Sequence, residues 1–186
     1  MESAINIAKW FVNRAAQDAE AMRGEYMTNL KLQKLLYYAQ GMYSARYGSF
    51  LFEDDIINLQ YGPVIPNVLN EYSKYRGSSI EEKYPDIIDD EYVIFMLELV
   101  YKKFGQFSAS KLVQKTHREP PWKNTKRNEV ISKESIQDYF ISKYEQPNAD
   151  TLRGLEEANK RIEEMRNNPN LGYSSVEELM RALNED

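Results

Sequence analysis

The segment "TNLKLQKLLYYAQGMYSARYG", Thr28 to Gly48, decides the fold. Leu32, Leu35, Leu36, Ala39 and Tyr43 recur at three- and four-residue spacing, which puts them on one face of a helix. Thr28 or Asn29 stands where a cap accepts the first free amide, and Gly48 follows the last periodic residue. The spacing predicts one long amphipathic helix.

Upstream, Ala4, Ala8, Phe11 and Ala15 repeat at the same spacing behind Ser3, so an amphipathic helix opens the chain. Downstream, "EDDIINLQYG" alternates with period two and sets Ile57, Leu59 and Tyr61 on one face of a short, half-buried strand. "PVIPNVLNEYSKYRG" reads as a helix with its prolines at the entry and Gly77 at the exit. Residues 90–104, rich in Phe, Met and Leu, are expected to form the central helix, touched on most sides. "SASKLVQKT" gives a short helix, and "SKESIQDYFISKYE" another, capped by Ser132, with Ile136, Phe140 and Ile141 turned inward. The fold class expected is mainly α with a small β element: a compact helical domain followed by a helical C-terminal tail.

The chain has 186 residues, no cysteine, one histidine and a formal net charge of −5. The absent thiols exclude disulfides, thiolate metal sites and cysteine nucleophiles. "MESAINIAKW" lacks the basic and apolar start of a secretion signal, and "YVIFMLELVY" is too short to cross a bilayer, so the expectation is a cytoplasmic protein with no membrane span. The net charge argues against a large phosphate-neutralising surface, and with it against nucleic acid as the main partner. Charge is unevenly placed: residues 145–186 hold ten acids and five bases, the entire −5, while residues 1–144 sum to zero. Two regions are therefore expected, a domain at 1–144 and an acidic helical extension at 145–186.

The densest chemistry is "THREPPW", Thr116 to Trp122, which contains the single histidine. His117 and Glu119 have the composition of a base and its orienting carboxylate. No third partner accompanies them, no phosphate-binding glycine loop exists, and a zinc site would need three or four ligands. The alternative is mechanical. Pro120 and Pro121 stiffen the chain and force Glu119 out of the helical region, and Trp122 is a large anchor whose N–H needs an acceptor. This predicts a rigid corner with a largely buried Trp122, no catalytic residue, no metal and no cofactor, and partner recognition stays open beside it. "YGPVIP" reads as a strand-to-helix turn in which Gly62 permits unusual dihedrals. Fourteen tyrosines exceed what a core of this size buries comfortably, so some are assigned to an interaction surface, Tyr37 and Tyr38 among them.

Three segments in this order, "LQKLLYYAQ", "YGPVIP" and "THREPPW", resemble the SocA-like or Panacea antitoxin family, known also from phage-associated proteins of the GepA type. The matching residues are Leu32, Gln33, Lys34, Leu35, Tyr61, Gly62, Pro63, Thr116, His117, Glu119, Pro121 and Trp122. The resemblance implies a mostly helical, non-enzymatic domain that neutralises a cognate toxin protein by binding it, with homo-oligomer formation left open. It also admits a proteolysis adaptor that delivers the toxin to a AAA+ protease, and a phage accessory regulator that binds a host protein or DNA. Leu59 stands where the family often has tryptophan, a departure that concerns the partner surface.

The extension carries a thin apolar stripe, Leu152, Leu155, Ile162 and Met165, marginal as a free helix. Ser175 and Glu178 form a capping box for a last helix, and Tyr173, Leu179, Met180 and Leu183 are its candidate toxin contacts.

Overall fold

The structure is a computed structural model that describes residues 2–144. The expectations for the extension, Tyr173, Leu179, Met180 and Leu183 included, lie outside the described residues.

Helix α1 (Ala4–Glu20) starts at Ser3, whose hydroxyl accepts the Asn6 amide. After β1 (Met27–Thr28), α2 (Asn29–Tyr47) starts where Thr28 accepts the Lys31 amide and ends at Gly48, φ 69°. A hairpin follows, β2 (Ile57–Leu59) and β3 (Gly62–Val64), in the register Ile57 to Val64 and Leu59 to Gly62. Next come α3 (Pro66–Glu71), a 3₁₀ turn (Ser73–Tyr75) and β4 (Ser79–Ile80), which pairs antiparallel with β1. Helices α4 (Glu91–Phe104), α5 (Ala109–Thr116), α6 (Pro120–Lys123) and α7 (Lys133–Tyr144) complete the domain. It is mainly α, with two small antiparallel sheets among the described residues.

The central helix is α2, not α4. Every residue from Leu32 to Met42 is buried, and α1, α4, α5, α7 and β3 all pack on it. Gly41 makes the closest approach possible, since a Cβ there would overlap the Phe140 ring of α7. Helix α4 buries Val93, Met96, Leu97, Val100 and Phe104 but leaves Tyr92, Phe95 and Leu99 outside. Its apolar content is larger than its one buried face uses, and that surplus misled the sequence reading.

Three smaller expectations are corrected in the same way. In β2 the buried residue is Asn58, while Ile57 and Leu59 are half-buried and Tyr61 is exposed, because the hairpin turns its polar side chain toward α6. Pro63 and Val64 belong to β3, so α3 begins only at Pro66. In α7 Ile136 and Phe140 face inward, but Ile141 is one position past the face that α2 covers and is exposed.

Candidate functional site

Two side chains of α2 hold the backbone of "YGPVIP". Gln33 accepts the Ile65 amide at 2.9 Å through Oε1 and donates from Nε2 to Asn29 Oδ1 at 2.9 Å. Asn29 in turn donates to the Leu69 carbonyl at 3.0 Å. Lys34 donates from Nζ to the Pro63 carbonyl at 2.7 Å. About two turns further along, Gln40 accepts the Leu51 and Phe52 amides and donates to the Phe52 carbonyl. Loop backbone pressed against a central helix loses water, and these polar side chains replace it.

Gly62 lies where the three signature segments converge. Its φ is 102°, and an added Cβ would come within 2.8 Å of Lys34 Cε and 2.8 Å of Thr116 Oγ1. The glycine is needed twice, for its dihedral and for the space.

Thr116 closes α5, its hydroxyl donating to the Val113 carbonyl at 3.0 Å. The His117 ring then stacks on Trp122, centroids 4.0 Å apart and planes 11° from parallel. Glu119, extended ahead of Pro120, caps the short α6 with its backbone. Its buried carboxylate accepts Tyr38 Oη at 3.1 Å and Lys143 Nζ at 3.0 Å, and Lys143 also donates to Tyr139 Oη. The Trp122 indole donates to the Leu59 carbonyl at 3.1 Å, and the Asn58 amide returns two bonds, to the Trp122 carbonyl at 2.8 Å and the Thr125 carbonyl at 2.6 Å. Trp122 is partly buried against the core, where the histidine covers one face and β2 takes its edge.

Burial sets the electrostatics. Lys34 is fully buried, and loss of water lowers its pKa to about 7. Burial, then the nearby Lys34, also lower His117 against a smaller opposing effect of the Gln60 backbone. Burial and then the Glu119 charge push the Tyr37 and Tyr38 hydroxyls up. For Lys143 burial acts downward, but the Tyr139 hydroxyl and the Glu119 carboxylate outweigh it and leave the amine raised.

The chemistry open to this arrangement is narrow. His117 and Glu119 do not pair: the ring lies on tryptophan with Nε2 buried and unbonded among the described residues, and the carboxylate is committed to Tyr38 and Lys143. No group of three potential metal ligands occurs among the described residues. The Lys34 amine is enclosed beneath the hairpin.

Leu32 and Leu35 are core residues, and Tyr61 stands 60 % exposed beside the hairpin turn. Tyr37 and Tyr38 cannot face a partner, because both are fully buried between α2, α4 and α7 against Phe104 and Phe140. The sequence reading missed Asn58, Gln40 and Lys143, whose partners lie far along the chain. It also missed the outer side of α4, although Tyr92, Phe95 and Leu99 at i, i+3 and i+7 were a second apolar stripe in plain view.

A helical domain whose three signature segments are bonded to one another and to the backbone and side chains flanking them defines a scaffold class. Residues 32–123 match the family model of the antitoxin SocA-like, Panacea domain, a span that runs from the start of "LQK" through Trp122. That stretch of the chain is thus similar to this family. No curated protein and no solved structure matches the chain. Among the described residues no helix is long and apolar enough to cross a membrane.

Proposed function

We propose that the protein is the antitoxin of a toxin–antitoxin pair and neutralises its toxin by direct, non-covalent binding in the cytoplasm. The match of residues 32–123 to that family supports an antitoxin role and a protein partner. The observation that carries the finer reading is the internal commitment of the signature side chains: Gln33, Lys34 and Trp122 hold backbone, and Glu119 accepts from Tyr38 and Lys143. Function then falls to the outer surface, where contact with a folded partner is made. The acidic extension 145–186 is proposed as a second, separable contributor to toxin contact through Tyr173, Leu179, Met180 and Leu183.

The test is co-expression with the protein encoded by the neighbouring gene. Growth rescue, co-purification and an unchanged toxin level are the expected results. Rescue accompanied by protease-dependent loss of toxin would replace neutralisation by an adaptor role. A folded, stable His117→Ala variant that binds toxin without neutralising it would point to chemistry instead.

A further inference from the structure

Helix α4 has two apolar stripes and one core to bury them in. The inner stripe is complete without Tyr92, Phe95 and Leu99, which are 70 %, 61 % and 38 % exposed. They stand at i, i+3 and i+7, one line along the outer side of the helix. At its start Tyr92 touches Tyr47 edge-on, centroids 6.0 Å apart, and Tyr47 packs on Tyr43 at 4.8 Å. Alongside runs an open groove of about 840 Å³, between α4 and the connection from α1 to α2, with Phe95 and Leu99 in its wall. A folded domain has no internal reason to hold three large apolar side chains in water on one helix face, and such patches mark contact surfaces.

The same line becomes basic at the far end of the helix. Lys102 and Lys103 are exposed, although partial burial of the Lys103 amine, and then the charges of Lys143 and Lys115 nearby, disfavour its charged form. Lys103 lies 4.1 Å from the centre of the Tyr144 ring. Among the described residues only Lys143 of these four has an acidic partner, Glu119. The face is therefore polarised, apolar for two turns and positive for one.

We propose that this face of α4 is the docking surface for the toxin, which presents an amphipathic segment with apolar side chains toward Tyr92, Phe95 and Leu99 and carboxylates toward Lys102 and Lys103. The inference rests on the antitoxin reading above. A second copy of this chain fits less well. Antiparallel pairing of two α4 helices would set Glu91 against the lysine end, but Glu98 already pairs with Arg14. One carboxylate would then face Lys102, Lys103 and Lys115, and an acidic partner completes the match.

The experiment uses the full chain and the protein encoded by the neighbouring gene. The triple variant Tyr92→Ser, Phe95→Ser, Leu99→Ser should melt as the parent does and bind at least about 100-fold more weakly, because aromatic anchors dominate interface energetics. The double variant Lys102→Glu, Lys103→Glu should slow association about tenfold and flatten its salt dependence. It gives a second reading if the triple variant loses stability. Tyr61→Ser, a comparably exposed tyrosine beside the hairpin turn, should bind normally. Full binding by a folded triple variant overturns the surface, as does lost binding in Tyr61→Ser alone. A toxin-free dimer that the triple variant abolishes overturns it in favour of self-association. In each of these cases parental rescue leaves the antitoxin reading standing. If the parent itself neither binds nor rescues, both proposals fall.

Discussion

Tyr38 and Tyr92 are the same side chain in opposite settings. Tyr38 is fully buried, stacked on Phe104 with centroids 3.9 Å apart, and its hydroxyl donates to Glu119. Tyr92 stands mostly in water, with one edge contact to Tyr47. The regions around them differ likewise. The signature cluster is polar and closed, each segment held by another, and it sets the positions of α2, the hairpin, α5, α6 and α7. The outer side of α4 is apolar and open, and the fold holds together without it. Recognisable motifs thus mark how this domain is assembled, while the surface suited to a partner is assembled from residues with no motif at all.

The contrast is broken most severely at Gly62. Gly62→Ala combines a disfavoured positive φ with a clash against Lys34 and Thr116, so about 3 kcal/mol or more of stability should disappear. Thermal unfolding measures this directly, and an unchanged melting temperature would mean that the three segments do not converge there.

Trp122→Ala comes next. A fully buried tryptophan costs about 3–5 kcal/mol on truncation, and this one is partly buried, so about 2–3 kcal/mol is expected, with the indole bond to Leu59 and the stack on His117 both lost. Urea midpoints of Trp122→Ala and Trp122→Phe separate the two losses, since phenylalanine can keep a stack but not the N–H donor.

Lys34 offers a pH signature. Its folded pKa of about 7 lies below the unfolded value, so between about pH 7 and pH 10 the unfolded chain binds the extra proton. Stability should therefore rise with pH through that window, and the buried charge is destabilising below it. Lys34→Met should remove most of this slope and leave stability at pH 7 equal to or above the parent's, because an apolar group of similar length replaces a buried amine with no counter-charge. A slope that survives in Lys34→Met assigns the proton elsewhere.

The smallest effect on stability belongs to the open region. Phe95→Ser should change folding free energy by less than about 0.5 kcal/mol, as exposed positions away from buried features do. A loss above about 2 kcal/mol in calorimetry would show that the outer stripe belongs to the core after all, and the comparison between the two regions would collapse.

Local patterns carried far in this chain. Ser3, Thr28 and Ser132 accept amides at helix starts because capping depends on residues within one turn. The apolar spacing of α1 and α7 located their buried faces for the same reason, except at Ile141, whereas α2, read as amphipathic, is buried all round. Periodicity failed where it had to choose between two faces. In α4 it found apolar residues all round and inferred a central helix, and in β2 it favoured the Ile57 side over Asn58. Both errors arise because hydrophobicity reports a side chain's preference, not which neighbour arrives to satisfy it. Tyr37 and Tyr38 failed conversely: their hydroxyls suggested surface, and Glu119, eighty-one residues beyond Tyr38, allows the burial of one of them.

The sequence by itself located most helices of the domain, the caps at Ser3, Thr28 and Ser132, the turn at Gly62 and the resemblance to the family, all of which rest on short-range spacing and residue type. Only the tertiary structure decided that α2 is the axis, that Lys34, Gly62 and Thr116 meet, that His117 turns to Trp122 instead of Glu119, and that α4 keeps one apolar face in water. Each of those outcomes is a competition among distant segments for the same buried space. Its result depends on which pairs pack together with their polar atoms satisfied, and no local pattern records that.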